Sequence, residues 1–335
     1  MVTGIGTGGL IAPFAFLGPK SDAQRECFNT TIRDKDISKK AFVKGLLGAD
    51  AFTDTAALRK LIGGVLTPET MADIADAHRA GRRLYVGTTE EEGKRFVLWS
   101  LGAMACRNGP GDRDLMIDAI VGSASVPGFF PSSKIDVNVD GVCHTERHID
   151  GGVSQGLFFH PPYVPPDQRT PQALNLVDTN VWVILAGKLY ADSEVITPSA
   201  LTQAGKSVST MIYAQTRGDL QRLWTYSLLS GMSYHCVAIP QEHPAPVSSG
   251  EFKPEVMRPL FAEGRRLIGT SNAWRTTPPG VDKSQGETIQ ERWARDLTFQ
   301  QRGPQLPIPR AKGSPIPPRY PSPAPLSIPA EAHER

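Results

Sequence analysis

Residues 2–18 read VTGIGTGGLIAPFAFLG, and the spacing of these glycines constrains the fold more than any other stretch. Gly4, Gly6 and Gly9 fit G-x-G-x-x-G, the spacing that lets a backbone approach a pyrophosphate. Gly4 to Gly8 also fit G-x-S-x-G, a sharp strand-to-helix turn that exposes its apex residue, here with Gly6 in the serine's place. Either reading asks for a strand running into a helix. They differ in what must stand elsewhere in the chain.

A dinucleotide loop needs a second strand whose tip carries an acidic residue about twenty positions downstream to hold the ribose. The segment at that distance, SDAQRECFNTTIRDKD, is polar and helix-like. The elbow reading is therefore preferred.

Further along, RRLYVG (82–87) and RFVLWS (95–100) flank the charged turn TTEEEGK and read as a hairpin or a pair of adjacent strands. TTEEEGK itself reads as a solvated turn. DLMIDAIVGSAS (114–125) has helical spacing at Leu115, Ile117, Ile120 and Val121 and stops before Pro127. A second hairpin turns at Asp140-Gly141, a dipeptide suited to positive φ. NVWVILAG (180–187) is a continuous apolar run expected to be buried on both faces. Helices are expected over about 198–231 and 254–268, with a strand at 234–240 between them. Strands mixed with helices, one of them doubly buried, predict an α/β domain with a mainly parallel central sheet.

Of the 29 prolines, ten fall between Pro304 and Pro329, a composition that neither pairs in a ladder nor fills a core. The expected organisation is a domain over 1–270, a partly helical extension over 271–300, and a disordered proline-rich tail over 301–335. With 36 Lys and Arg against 34 Asp and Glu, and both signs interspersed, the chain offers nucleic acid no long-range attraction. Cys27, Cys106, Cys143 and Cys236 are widely spaced, which signals neither a zinc site nor a disulfide framework. No apolar run reaches the ~18 residues of a membrane span.

SASVPGFFP (123–131) followed by HIDGGVSQG (148–156), taken with GIGTGGLIAPFAFLG, resembles the patatin-like phospholipase family, and the resemblance runs in order through about residue 270. It implies a three-layer α/β/α acyl hydrolase that uses a Ser-Asp dyad, needs no cofactor or metal, and acts on lipid or other acyl esters. It implies Asp150 as the dyad base, the Thr7 amide as an oxyanion donor, Gly4 and Gly8 as elbow glycines, and Gly151 and Gly152 as turn formers. Gly6 stands where the nucleophile should be, and a glycine cannot form an acyl-enzyme. The family's first strand and glycine-rich oxyanion loop have no counterpart ahead of Gly4, so the expectation is of a chain lacking its natural beginning. Any export or lipidation signal would lie in that missing segment, and no compartment is assigned; nor is an oligomeric state. The expected activity is severely impaired, and the alternative is a pseudoenzyme that binds lipid or a partner without turnover.

A literal G-x-S-x-G occurs at Gly152-Val-Ser154-Gln-Gly156, with His160 or His235 as conceivable bases. Pro161 and Pro162 follow too soon for the long helix an elbow opens. His144 and His148, with Glu146 between them, share one face of a strand and read as exposed strand residues rather than a metal site. The Phe pairs at 129–130 and 158–159 suit either an acyl pocket or plain core packing.

Overall fold

The structure is a computed structural model of the chain; it describes residues 1–31, 33, 55–159, 176–191, 200–244, 253–270 and 273–281. All of these lie in one unit, Met1–Gln285. The architecture is α/β, as the alternation of strand-like and helix-like segments predicts.

β2 (Leu84–Glu90) is the centre of the main sheet. β3 (Arg95–Ser100) pairs with it antiparallel along Tyr85 to Glu90, closing the first expected hairpin. Along its other edge β2 carries two strands end to end. β1 (Val2–Gly4) runs parallel to it and ends with Gly4 opposite Val86. β5 (Val142–Asp150) runs antiparallel and ends with Asp150 opposite Thr88. The C-terminal ends of β1 and β5 therefore point at each other, with Gly87 between their registers. That convergence positions everything described below.

β4 (Ser133–Val139) completes the sheet by pairing with β5. Its turn is the expected Asp140-Gly141, with φ of 53° and 85°, the left-handed pair that matches hairpin twist. A second, two-stranded sheet joins β6 (Asn180–Lys188) and β7 (Ser233–Ile239) in parallel. Parallel pairing is thus confined, among the described residues, to the strands with long crossovers, β1–β2 and β6–β7, as the connection length requires.

Eight α-helices are described: α1 (Thr7–Leu17), α2 (Asp22–Thr31), α3 (Ala56–Val65), α4 (Pro68–Arg79), α5 (Leu101–Arg107), α6 (Asp112–Ser123), α7 (Ala200–Ser230) and α8 (Pro254–Ile268). α4 starts cleanly because the Thr67 hydroxyl accepts the Thr70 N–H and Pro68 occupies the first helical position, where its missing N–H costs nothing. α6 is buried almost all round at its C-terminal end, from Ala119 through Ser123. It is wedged between the sheet and neighbouring helices, so its sequence shows little polar stripe.

The main core gathers Phe16, Leu66, Ile74, Leu84, Val86, Leu101, Met116 and Ile120. Each fully buried side chain of this size contributes about 1.5–3 kcal/mol of transfer free energy. A second cluster, Val181, Val183, Leu220, Tyr234 and Cys236, lies between β6–β7 and α7.

Two expectations are corrected here. β6 is not buried on both faces: Val181 and Val183 are buried, whereas Trp182 and Ile184 are 55% and 72% exposed. An apolar run cannot report which face is covered, and here Trp182 stacks on His235 and meets the edge of Trp274. The doubly buried strand is β2. The second correction concerns TTEEEGK: Thr88, Thr89 and Glu90 are buried parts of β2, and only Glu91 to Lys94 form the exposed turn. Glu90 tolerates burial because it accepts the Glu92 and Gly93 N–H groups and pairs with Arg95.

The described part of the expected 271–300 extension, 273–281, is irregular, with one antiparallel bridge between Arg275 and Cys236. Residues 282–335, including the proline-rich stretch, lie outside the described residues. No helix among the described residues is long and apolar enough to cross a membrane.

Candidate active site

The turn from β1 into α1 occupies two residues, Ile5 and Gly6. Gly6 has φ 57° and ψ −126°, a conformation essentially restricted to glycine unless the surroundings impose it. Gly4 must also be a glycine, since a Cβ there would lie 2.3 Å from the Gly8 carbonyl oxygen. The first turn of α1 therefore sits directly on the end of its strand.

Gly8 donates its N–H to the Ile5 carbonyl and Gly9 to the Gly6 carbonyl. The Thr7 N–H finds no acceptor among the described residues. It opens the N-terminal end of α1, where the helix dipole favours negative charge. Gly6 donates its own N–H to Ser123, at the end of α6.

Asp150, the last residue of β5, faces this turn. Measured to the place a Cβ would occupy on Gly6, its Oδ2 is at 3.2 Å and its Oδ1 at 3.7 Å. The carboxylate is buried. Its Oδ1 accepts the Gly152 N–H at 2.7 Å. Its main chain is held on both sides: the N–H donates to the Ser125 carbonyl, and the carbonyl accepts from the Thr89 hydroxyl at 3.0 Å. Burial pushes the Asp150 carboxyl up to about 6, only partly offset by the Gly152 N–H. That value falls in the range that suits a base at neutral pH.

Gly151 and Gly152 lead a short 3-10 turn, Gly151–Val153. A Cβ on Gly151 would meet the Gly87 carbonyl oxygen at 2.6 Å, so this glycine lets the turn pass over the point where β1 and β5 converge. The loop beyond is fastened to α7, where the buried Asp219 accepts the Gly156 N–H at 2.6 Å.

Ser154 lies beside this site in a different setting. Its φ and ψ, −105° and −33°, are those of an ordinary helical turn, and the described element it closes is three residues long. Its hydroxyl is 2.7 Å from the Thr89 hydroxyl and donates to the Gly151 carbonyl. His235 is in the second sheet, bonded to Asn180 and stacked on Trp182; His160 lies outside the described residues.

His148 corrects a further expectation, since it is fully buried rather than exposed. Trp99 donates its indole N–H to the Thr88 hydroxyl at 2.8 Å, and that hydroxyl is 2.9 Å from His148 Nδ1. The Glu146 carboxylate, 3.2 Å from Nε2, can only accept, so in the neutral ring the His148 proton sits on Nε2 and Nδ1 accepts the Thr88 proton. Burial lowers the His148 value, keeping the ring neutral. His144 is exposed, and no group of residues able to hold a metal occurs among the described residues. Of the phenylalanine pairs, Phe158 is buried against Phe96, while Phe129 is 42% exposed.

Sequence reasoning missed Thr89, Ser123 and Ser125. Two of them act through main-chain carbonyls, which any residue type would supply; only the small residues of GSAS, which let α6 come this close, left a mark in the sequence.

The arrangement brings together a buried carboxyl with a raised affinity for protons, an unpaired amide and a sharp strand-to-helix turn, around a position with no side chain. Such a set takes a proton from a group at that position and receives negative charge on a neighbouring oxygen. No curated protein matches the chain. Residues 1–163 match the family described as patatin-like phospholipase, a span holding β1 to β5, α1 to α6, the elbow turn and Asp150. Over residues 1–163, the chain is similar to the patatin-like phospholipase family.

Proposed function

We propose that this chain is an acyl hydrolase scaffold for carboxylic esters of lipids whose serine route is lost because Gly6 holds the nucleophile's place. Asp150 is the base, the Thr7 N–H the oxyanion donor, and Gly4, Gly8, Gly151 and Gly152 shape the two turns. The observation that carries this reading is the 3.2 Å approach of Asp150 Oδ2 to the Cβ position of a residue at the apex of a sharp strand-to-helix turn. A serine there would present its hydroxyl to a base that lacks any other proton source. Losing the serine of a comparable hydrolase costs about a million-fold in turnover, so the chain is expected to be nearly inert by that route.

Hydrolysis of a short-chain p-nitrophenyl ester tests the reading with the chain, Gly6→Ser and Ser154→Ala side by side. Activity gained by Gly6→Ser, and lost again when Asp150→Ala is added, supports it. Turnover by the unmodified chain that Ser154→Ala abolishes would move the active site to the second motif.

A second reading is lipid binding without turnover. It draws on Phe129 and Val153, apolar side chains 42% and 38% exposed on the segments that follow Ser125 and Asp150. It predicts saturable binding of a fluorescent fatty-acyl probe to the unmodified chain and no product.

A further inference from the structure

The two oxygens of Asp150 differ in their commitments. Oδ1 is tied to the Gly152 N–H. Oδ2 takes no hydrogen bond among the described residues and is the atom nearest the Cβ position of Gly6. The three heavy atoms closest to that position, at 3.2, 3.7 and 3.8 Å, all belong to this one carboxyl group. Gly6 is itself only half-buried, so solvent reaches the place where a serine's CH₂OH would begin.

We propose that this space admits a water molecule which Asp150 activates for direct attack on an acyl carbon, giving slow, single-step hydrolysis of activated carboxylic esters with no acyl-enzyme. The proposal rests on the reading of Gly6, Thr7 and Asp150 as one reacting site. Water donates one proton to Asp150 Oδ2 as its oxygen bonds to the acyl carbon. The carbonyl electron pair moves onto the carbonyl oxygen, which the Thr7 N–H faces. Collapse restores the C=O bond and breaks the bond to the leaving group, which departs with that electron pair. Asp150 then returns its proton to solvent.

The same geometry selects the substrate class. Asp150 is the carboxyl that the described residues place at the turn, and it is aimed at the attacking oxygen. Among the described residues, no second carboxyl or imidazole is bonded at this turn to protonate an alkoxide. Leaving groups that depart as stable anions, aryl oxides and thiolates, are therefore accepted, and simple alkyl esters are not. A charged intermediate fits the N-terminal end of α1.

The test uses the full chain with p-nitrophenyl butyrate and with ethyl butyrate, alongside Asp150→Asn and Gly6→Ser. Asp150→Asn is nearly isosteric and keeps an acceptor for the Gly152 N–H; a thermal melt on each variant reports that it is folded. The expected result is aryl-ester turnover by the unmodified chain, about a hundredfold above Asp150→Asn. That turnover should show no burst, should resist a fluorophosphonate, and should leave ethyl butyrate intact. Equal rates for the chain and Asp150→Asn, or loss of turnover to the fluorophosphonate, overturn the water route. Gly6→Ser separates the two failures. If it turns over and is labelled by the fluorophosphonate while the unmodified chain stays at the Asp150→Asn rate, the site stands and only the water route falls. If Gly6→Ser gains nothing and the unmodified chain also matches Asp150→Asn, both readings fall.

Discussion

Gly6 is bonded to Ser123 twice, its N–H shared between the Ser123 carbonyl at 3.1 Å and the Ser123 hydroxyl at 3.2 Å. Two residues on, the Ser125 carbonyl receives the Asp150 N–H at 2.8 Å. The end of α6 thus holds both halves of the site against one support. Ser123→Ala removes one branch of the shared bond and leaves the other, so it should cost about 0.5–1.5 kcal/mol in a denaturant titration. In the Gly6→Ser background it should also lower ester turnover by up to about tenfold, since a displacement of the turn worth ~1.4 kcal/mol in the transition state is tenfold in rate. Unchanged stability and turnover would show that the carbonyl alone holds the turn.

Restoring the serine should carry a penalty in stability. The backbone of Gly6 stays at φ 57°, where a residue with a Cβ is strained by about 1–3 kcal/mol. A Cβ 3.2 Å from Asp150 Oδ2 is also a close contact. Gly6→Ser should therefore lower the denaturation midpoint by an amount in that range while it raises activity. A variant that is more active and no less stable would mean that the turn relaxes when the side chain is added.

Much of this architecture could be read from the sequence, because it depends on local periodicity and turn chemistry. The two hairpins, the Asp140-Gly141 turn, α6 and α7 fall within a few residues of where spacing puts them. The Gly4 to Gly8 spacing announced the tight turn for the same reason: close backbone approach excludes side chains. What was not legible depends on contacts between distant segments. Nothing in β1 or β5 says that they share an edge of β2 and converge at Gly87. Trp182 and His148 were misjudged in opposite directions, since a strand's alternation separates its faces without saying which one another layer covers.

The pH dependence of stability should carry the signature of Asp150. Its folded value is about 6, against about 3.9 for an aspartate in an unfolded chain. Between those values the folded state holds a proton that the unfolded state has released, so stability falls as pH rises through this window. A gap of about two units corresponds to about 3 kcal/mol, fully expressed above pH ~6 and absent below pH ~4. Asp150→Asn stays neutral throughout and should melt higher than the parent chain at pH 7 to 8. At pH 4 the two should melt alike. A variant that is less stable than the parent at pH 8 would show that the charged carboxylate is compensated by contacts beyond the Gly152 N–H.

Thr88 is the hinge of the buried polar chain behind the site, and its hydroxyl serves two groups that have no alternative. The Trp99 indole N–H must donate and the neutral His148 Nδ1 must accept, and both rings are packed edge to face, 5.2 Å apart, with no room to turn toward water. Thr88→Val preserves the volume and β-branching that β2 needs while removing the hydroxyl. It leaves one buried donor and one buried acceptor unpaired, at about 1–3 kcal/mol each. The expected loss is thus about 2–6 kcal/mol, much larger than for Ser123→Ala although each variant deletes a single oxygen. Equilibrium denaturation of the two variants side by side checks this. A Thr88→Val cost no greater than that of Ser123→Ala would mean that His148 exchanges its tautomer and finds its partners elsewhere.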